Sequence, residues 1–439
     1  MEGRPPPPSF GEALRFWAKL GCIGFGGPAG QIALMHEELV ERRRWISERR
    51  FLHALNYCML LPGPEAQQLA TYLGWLLHRT AGGIVAGALF VLPSFLLIVI
   101  LAWAYLALGE TPLVAGIFYG IKPAVVAIVA HAAWRIGGRT LKNGVLWVVA
   151  VAAFVALAVF DMPFPAIVAC AAGAGIIGAR FAPALFTGSP RGTAAMAGPP
   201  AVIDDADPPP AHARFAPRHL LAVAGTGIAL WALSLGLLIA ALGTEGTLAQ
   251  MGWFFTKAAL VTFGGAYAVL PYVHQGAVEH YGWLSAMQMI DGLALGETTP
   301  GPLIMVVAFV GFVGGWGKAL FGADALFLAG ASAAAVATWF TFLPSFVFIL
   351  AGGPFVESTY GDLRFGAPLT AITAAVTGVI ANLALFFAGH VLWPQGAGFD
   401  ALAAVIAAGA ALALFRFRAG TIPVIAGCAA FGLIARFLA

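Results

Sequence analysis

The chain has 439 residues, 60% of them hydrophobic and 10% charged, with a formal net charge of +3 and a mean hydropathy of +0.89. A soluble domain carries about 25% charged residues, so this balance excludes an ordinary soluble enzyme and leaves no basic surface for nucleic acid. It predicts an all-α, polytopic membrane protein whose surroundings are the lipid bilayer.

Residues 1–9 form a short, Pro-rich polar tail without an apolar core, so no cleavable signal is expected. Segments 10–42 and 51–78 are apolar but broken by Gly and Pro, and are predicted to enter and leave the membrane on one side. Stretches 82–106, 113–134, 143–160 and 164–180 follow, each apolar enough for a crossing of roughly 20 residues. Together 10–180 make a first half. Residues 181–217 hold Asp204, Asp205, Asp207 and a Pro208-Pro209-Pro210 run, and read as a flexible cytoplasmic linker. The remainder, 218–439, is a connecting span at 218–241 and a second half with spans at 323–350, 366–388, 398–415 and 420–438.

The halves repeat. Phe16, Lys19, Phe25-Gly26-Gly27, Trp45-Ile46-Ser47 and Pro62-Gly63-Pro64 recur as Phe254, Lys257, Phe263-Gly264-Gly265, Trp283-Leu284-Ser285 and Pro300-Gly301-Pro302, all at an offset of 238. His36 and Glu41 meet His274 and Glu279 at the same offset. Leu92-Pro93-Ser94-Phe95 recurs as Leu343-Pro344-Ser345-Phe346 at 251, so 13 residues are inserted between the two blocks. Arg42, Arg43, Arg44, Arg49 and Arg50 crowd one loop of the first half, whereas its counterpart at 280–288 has no Lys or Arg. The loop around Arg135, Arg139 and Lys142 is likewise basic and its counterpart is not. Basic loops face the cytoplasm, so the pattern predicts an inverted repeat with broken, re-entrant helices at the centre. Such folds bind substrate where the repeats meet.

Gly26-Gly27-Pro28 and Pro62-Gly63-Pro64 should each start a new half-helix, near Pro28 and Pro64, and Gly264-Gly265 and Pro300-Gly301 should do the same in the second half. Irregular backbone at membrane depth is tolerated where it lines a wet cavity or is buried in protein. Four helix N-termini with free N–H groups would attract an anion. Lys19 and Lys257, two turns before the breaks, would add positive charge, and intramembrane Lys122 is a third cation. Gln31, Gln67, Gln68, Thr298, Thr299 and Asn382 are polar candidates for the lining. Glu65 and Glu297 flank breaks where a carboxylate and an anion would compete, which makes them proton-coupling candidates. No Walker motif, no flavin or haem feature and no metal-ligand spacing occurs, and Cys22, Cys58, Cys170 and Cys428 are single. Neither a cofactor nor a bound metal is expected.

On Phe16-x-x-Lys19, Phe25-Gly26-Gly27-Pro28 with Gln31 and Met35, Trp45, Leu61-Pro62-Gly63-Pro64-Glu65-Ala66-Gln67-Gln68, Phe263-Gly264-Gly265 and Thr299-Pro300-Gly301-Pro302, the chain resembles the chromate ion transporter (CHR) family in its long, two-domain form. The resemblance implies efflux of chromate across the bacterial inner membrane, with chromate resistance, and sulfate as the natural competitor. Ala266 stands where the first half has Pro28. The alternatives are a sulfate or other oxyanion carrier, a passive channel and, from another class, a membrane-embedded chromate reductase. A homodimer is left open.

Overall fold

The computed structural model describes residues 4–438 except 26, 110, 187–199, 206, 209, 264, 359–365 and 395–397. The described residues are helical apart from turns and one isolated bridge between Ile46 and Ile203. In the first half, α1 (Phe10–Ile23) starts at a capping box in which the Ser9 and Glu12 side chains satisfy each other's backbone N–H. It buries Ala13, Phe16, Trp17, Leu20 and Gly21, the stripe expected of one helix face. After the first break come α2 (Gly27–His36), a wide π-helical turn over Glu37–Arg42, and α3 (Glu48–Leu60). Beyond the second break runs α4 (Glu65–Leu108), then α5 (Pro112–Thr140), α6 (Gly144–Ala158) and α7 (Phe164–Phe181).

A single turn, α8 (Pro183–Phe186), precedes the linker, and α9 (Pro217–Leu242) connects the halves. The second half repeats the order: α10 (Thr247–Val261), α11 (Ala266–His274) with a π-helical turn at Gln275–His280, α12 (Ala286–Thr298), α13 (Val306–Gly317), α14 (Leu326–Ser358), α15 (Gly366–Leu392), α16 (Ala401–Phe415) and α17 (Thr421–Leu438). All nine apolar stretches named from sequence fall on helices. Among the described residues, six helices are long and apolar enough to cross a membrane, and α6, α13, α16 and α17 are shorter apolar helices. The chain is a multi-pass, all-α membrane protein.

The repeat extends to single hydrogen bonds. Trp45 N–H donates to Leu39 O at 2.8 Å, and Trp283 N–H to Ala277 O at 2.8 Å. His36 and His274 each place Nδ1 3.2 Å from Glu41 and Glu279 respectively. The 13-residue insertion lies at one turn. In α4 the backbone leaves the helical region at His78 and Arg79, and the chain folds back sharply there. Gly74 and Gly82 make that hairpin possible, since a Cβ on Gly82 would stand 2.3 Å from Gly74 O. In the second half the same reversal, from α13 to α14, takes the longer loop at 318–325.

The halves are not separate in space. Helix α5 of the first half packs against α15, α16 and α17, and α15 packs against α5, α6 and α7. These six form one body. The other contains α1 and α4 with α10, α13 and α14, which pack on one another across the repeat boundary.

One expectation is corrected. The described part of the linker is docked rather than free. Ile203 pairs with Ile46 through Ser47 N–H to Ile203 O (3.1 Å) and Ile203 N–H to Trp45 O (3.0 Å), and Ser47 Oγ donates to Asp205 at 2.6 Å. The Asp204 side chain accepts from the Ala201 amide, folding the segment into a turn. Hydrogen bonds from Arg4 and the Asp204 amide hold the Asp207 carboxyl below the usual carboxylate range. Composition alone hid this, because the anchoring partners lie some 150 residues earlier in the chain.

Candidate functional site

The two kinds of break do different things. Gly63 N–H donates to Thr262 O at 2.7 Å, and Gly301 N–H donates to Gly24 O at 3.0 Å. Each Pro-Gly-Pro break is therefore tied to the Gly-Gly break of the other half, reciprocally. Both glycines need positive φ (125° and 102°), and a Cβ would overlap Ser345 Oγ at 2.6 Å and Ser94 Cβ at 2.5 Å. The reciprocity includes the serines, since Ser94 and Ser345 are repeat partners. Gln31 Nε2 closes one tie by donating to Gly24 O (2.9 Å) and Gly301 O (2.5 Å), and Gln68 Nε2 donates to Pro62 O at 2.8 Å. Gln67 turns instead to Thr71, beside Gly87.

Two amides near the four expected anion seats are engaged. The Gly63 and Gly301 N–H groups are already used, so Pro62, Gly63, Pro64, Pro300 and Gly301 form a scaffold. Thr298 donates to Ala294 O and Leu295 O, and Thr299 donates to Gly296 O, so both hydroxyls serve their own helix end. Besides the start of α4 at Glu65, two other helix starts, those of α2 and α11, reach the same cavity. Gly27 (φ 67°) and Gly265 (φ 99°) turn the chain into them, and Gly265 brings no side-chain cap. First-turn N–H groups have no partner within a helix. Gly26 and Gly264 lie outside the described residues.

Both starts open on a cavity of about 860 Å³. Its buried end is formed by Pro28, Glu65, Gly265, Ala266 and Tyr267, and its outer end by His36, Glu41 and Glu48. Arg135, Arg139 and Thr373 line the opposite wall. Pro28 and Glu65, on α2 and α4, belong to the body that contains α1 and α4, and Gly265 precedes α11, which packs on both bodies through α10 and α15. Arg135 and Thr373 belong to the body of α5–α7 and α15–α17. Glu65 stands against the α11 start, its Oε1 2.7 Å from a Cβ built on Gly265. Behind Tyr267, Glu297 accepts a hydrogen bond from the tyrosine hydroxyl.

The lysines are not there. Lys19 is exposed, off the face that α1 buries, and Lys257 is half-buried with its ammonium 5.7 Å from the centre of the exposed Trp253 ring. A seven-residue spacing from Gly26 aligns Lys19 with the break only if the helix continues, and α1 ends at Ile23. The cations at the cavity are Arg135 and Arg139. Sequence reading used them only to orient a loop, although their four-residue spacing puts both on one face of the last turns of α5.

The repeat-related cavity is closed. The counterparts of cavity residues Phe51, Leu52, Leu55 and His36 are Met289, Ile290, Leu293 and His274, all buried. Phe386 stands where the first half has Arg135, with its ring 4.4 Å from that of His274. Where the first cavity has Thr373, the closed side has Lys122. Among the described residues, the first cavity is open and the space at its repeat counterpart is filled.

A chromate transporter family model matches residues 11–178 and 249–433. A chromate transport protein of Cupriavidus metallidurans is 30% identical over 428 residues, covering 97% of this chain and 92% of the relative. One from Pseudomonas aeruginosa is 33% identical over 386 residues, covering 86% and 81%. An uncharacterized transporter of Bacillus subtilis, YwrB, is 34% identical over 137 residues, or 31% of this chain and 69% of its own length. No solved structure matches. The family match covers both halves and stops at the linker and α9, and on it the chain belongs to the chromate transporter family.

Proposed function

We propose that the protein is a secondary transporter that exports chromate across the bacterial inner membrane, with sulfate as a competing dianion. The observation that carries this reading is the single-ended cavity between two bodies, lined by two open helix starts and two arginines. A tetrahedral dianion accepts hydrogen bonds in every direction, and the starts of α2 and α11 offer N–H groups and positive dipole ends. Arg135 and Arg139 supply the charge. Glu65, with Glu297 behind Tyr267, competes with the anion for the same space, so a proton taken by Glu65 favours anion binding and couples the two. The potential alone assists a dianion leaving a negative interior by about 2.3 kcal/mol per charge per 100 mV.

Radiolabelled chromate flux in proteoliposomes, with sulfate as competitor, tests the reading. Arg135→Gln removes charge-assisted hydrogen bonds of about 1.5–3 kcal/mol, so half-saturation should rise at least about tenfold. Wild-type affinity in that variant removes Arg135 from the site. No chromate flux in the wild type ends the transport reading. With the potential clamped to zero, a pH gradient should still drive flux, and Glu65→Gln should weaken that response.

We also propose that the repeat is inverted, with the cavity open to the cytoplasm. The basic loop at 42–50 and the basic last turns of α5 border it, and α9 supplies the odd crossing. Glu41 and Glu279 are repeat partners and both exposed. Single cysteines at Glu41 and Glu279, in a background without native cysteines, should label from opposite faces. Labelling of both from one face rejects the inversion.

A further inference from the structure

Two buried carboxylates pair with cations outside the cavity, and they differ in kind. Glu357 on α14 is fully engaged: Arg50 donates to Oε2 at 2.9 Å and Tyr72 to Oε1 at 2.6 Å. Arg50 is engaged in turn, donating to Asp204 O (2.9 Å) and Asp207 O (2.5 Å) of the docked linker. All of this lies within one body and its strap. Asp291 on α12 is the contrast. It is 1% exposed, yet only Oδ2 is bonded, to the Tyr105 hydroxyl at 2.8 Å and 3.4 Å from Lys122 Nζ. Oδ1 is buried and has no hydrogen-bond partner. Buried polar oxygens normally have one.

The position of the pair is as telling as its chemistry. Tyr105 on α4 belongs to the body that contains α1 and α4, Lys122 on α5 belongs to the other, and Asp291 lies on α12, which packs on both. The cluster therefore sits at the interface along which the cavity opens. It lies on the closed side, among Ile290, Leu293 and Met289. Lys122 is 13 residues before Arg135 on α5, about 20 Å along the helix axis at 1.5 Å per residue. The elements packed on α12 are α4, α5, α13, α15, α17 and the short 3-10 turn at Leu303–Met305. Among the described residues, the titratable groups acting on Asp291 are Lys122 and Tyr105.

We propose that Asp291 is a proton-binding site whose ion pair with Lys122 holds the second cavity shut. This rests on the two-sided transport reading. A proton from solution binds Oδ1 and forms a carboxylic acid; no other bond changes, and Lys122 keeps its ammonium. The neutral pair becomes a lone cation that is only partly exposed. Removing the partner of a partly buried charge is unfavourable, so Lys122 is drawn further toward water and the two bodies part at this end. Opening one cavity closes the other, because both lie between the same bodies. Proton uptake from the outer solution is thereby tied to release of the anion there.

The test reads accessibility, not transport. Leu55 lines the open cavity and Leu293, its repeat partner, is buried on the closed side. Leu55→Cys and Leu293→Cys are made singly, with Cys22, Cys58, Cys170 and Cys428 replaced. Each is treated with a water-soluble thiosulfonate, and rates are divided by that of the exposed control Glu279→Cys. From pH 8 to pH 5.5, the Leu293→Cys rate should rise several-fold and the Leu55→Cys rate fall. Asp291→Asn with Lys122→Met removes both charges together, which avoids stranding either one, and should leave both rates independent of pH. A pH response that survives in this double variant overturns the proposal, as does a flat response with the pair intact. Chromate flux in the same vesicles bears separately on the transport reading, so the two can fail independently.

Discussion

Gly265→Val should abolish chromate transport while the protein still inserts in the membrane. Gly265 has φ 99°, where a β-branched residue is an outlier, and such strain costs about 1–3 kcal/mol. The new Cβ would also stand 2.7 Å from Glu65 Oε1, at the buried end of the cavity. The variant thus distorts the α11 start and displaces the carboxylate beside it. Loss of two charge-assisted hydrogen bonds, about 1.5–3 kcal/mol each, predicts a fall in affinity of roughly a hundredfold or more. Gly27 provides the contrast. Its φ of 67° is one that Asn adopts, and a Cβ there meets nothing within 4 Å. Gly27→Asn should therefore keep most of the activity. Normal flux in Gly265→Val would mean that the Gly-Gly breaks serve only helix packing.

Arg50→Met should be the most destabilising single change outside the cavity. It strands Glu357, which is 4% exposed, and releases the strap at Asp204 and Asp207. Breaking a buried pair by removing one partner costs about 3–5 kcal/mol. Thermal unfolding in detergent should shift down by about 5–10 °C. Adding Glu357→Leu should recover much of that loss, because the buried charge is then gone. An unchanged unfolding temperature in Arg50→Met would show the pair to be immaterial to stability.

The helices were legible because their code is local. Apolar length marks the spans, and Gly and Pro mark the breaks, so the starts at Gly27, Glu65 and Ala266 fall within a residue or two of expectation. The internal repeat added what one half could not, since each break was seen twice. The site was less legible because it depends on which faces meet. Lys19 looked central by spacing, but rotation about α1 puts it outside. Arg135 and Arg139 read as loop charges because the apolar stretch ends at 134, whereas α5 runs on to Thr140. Pro62-Gly63-Pro64 was read correctly as a break, but its amide is taken by Thr262, 199 residues away. Asp291 stands alone in its stretch of sequence. Its partners, Lys122 and Tyr105, are more than 160 residues distant in the chain, and no local pattern announces them.

The exchange of helices between halves also bears on how the chain is made. Helices α5 and α15 find most of their neighbours in the opposite half. A ribosome finishing the first half leaves α5 without α15, α16 and α17, and those partners are still unmade. In the proposed topology they must also arrive upside down. That requirement falls on α9, which buries only Gly227 and Leu235 along its 26 residues. So little packing suits a segment whose task is insertion order rather than cohesion. If α9 stays on the wrong side of the bilayer, the second half is built as a competent set of helices facing the wrong way, and neither half can complete the other.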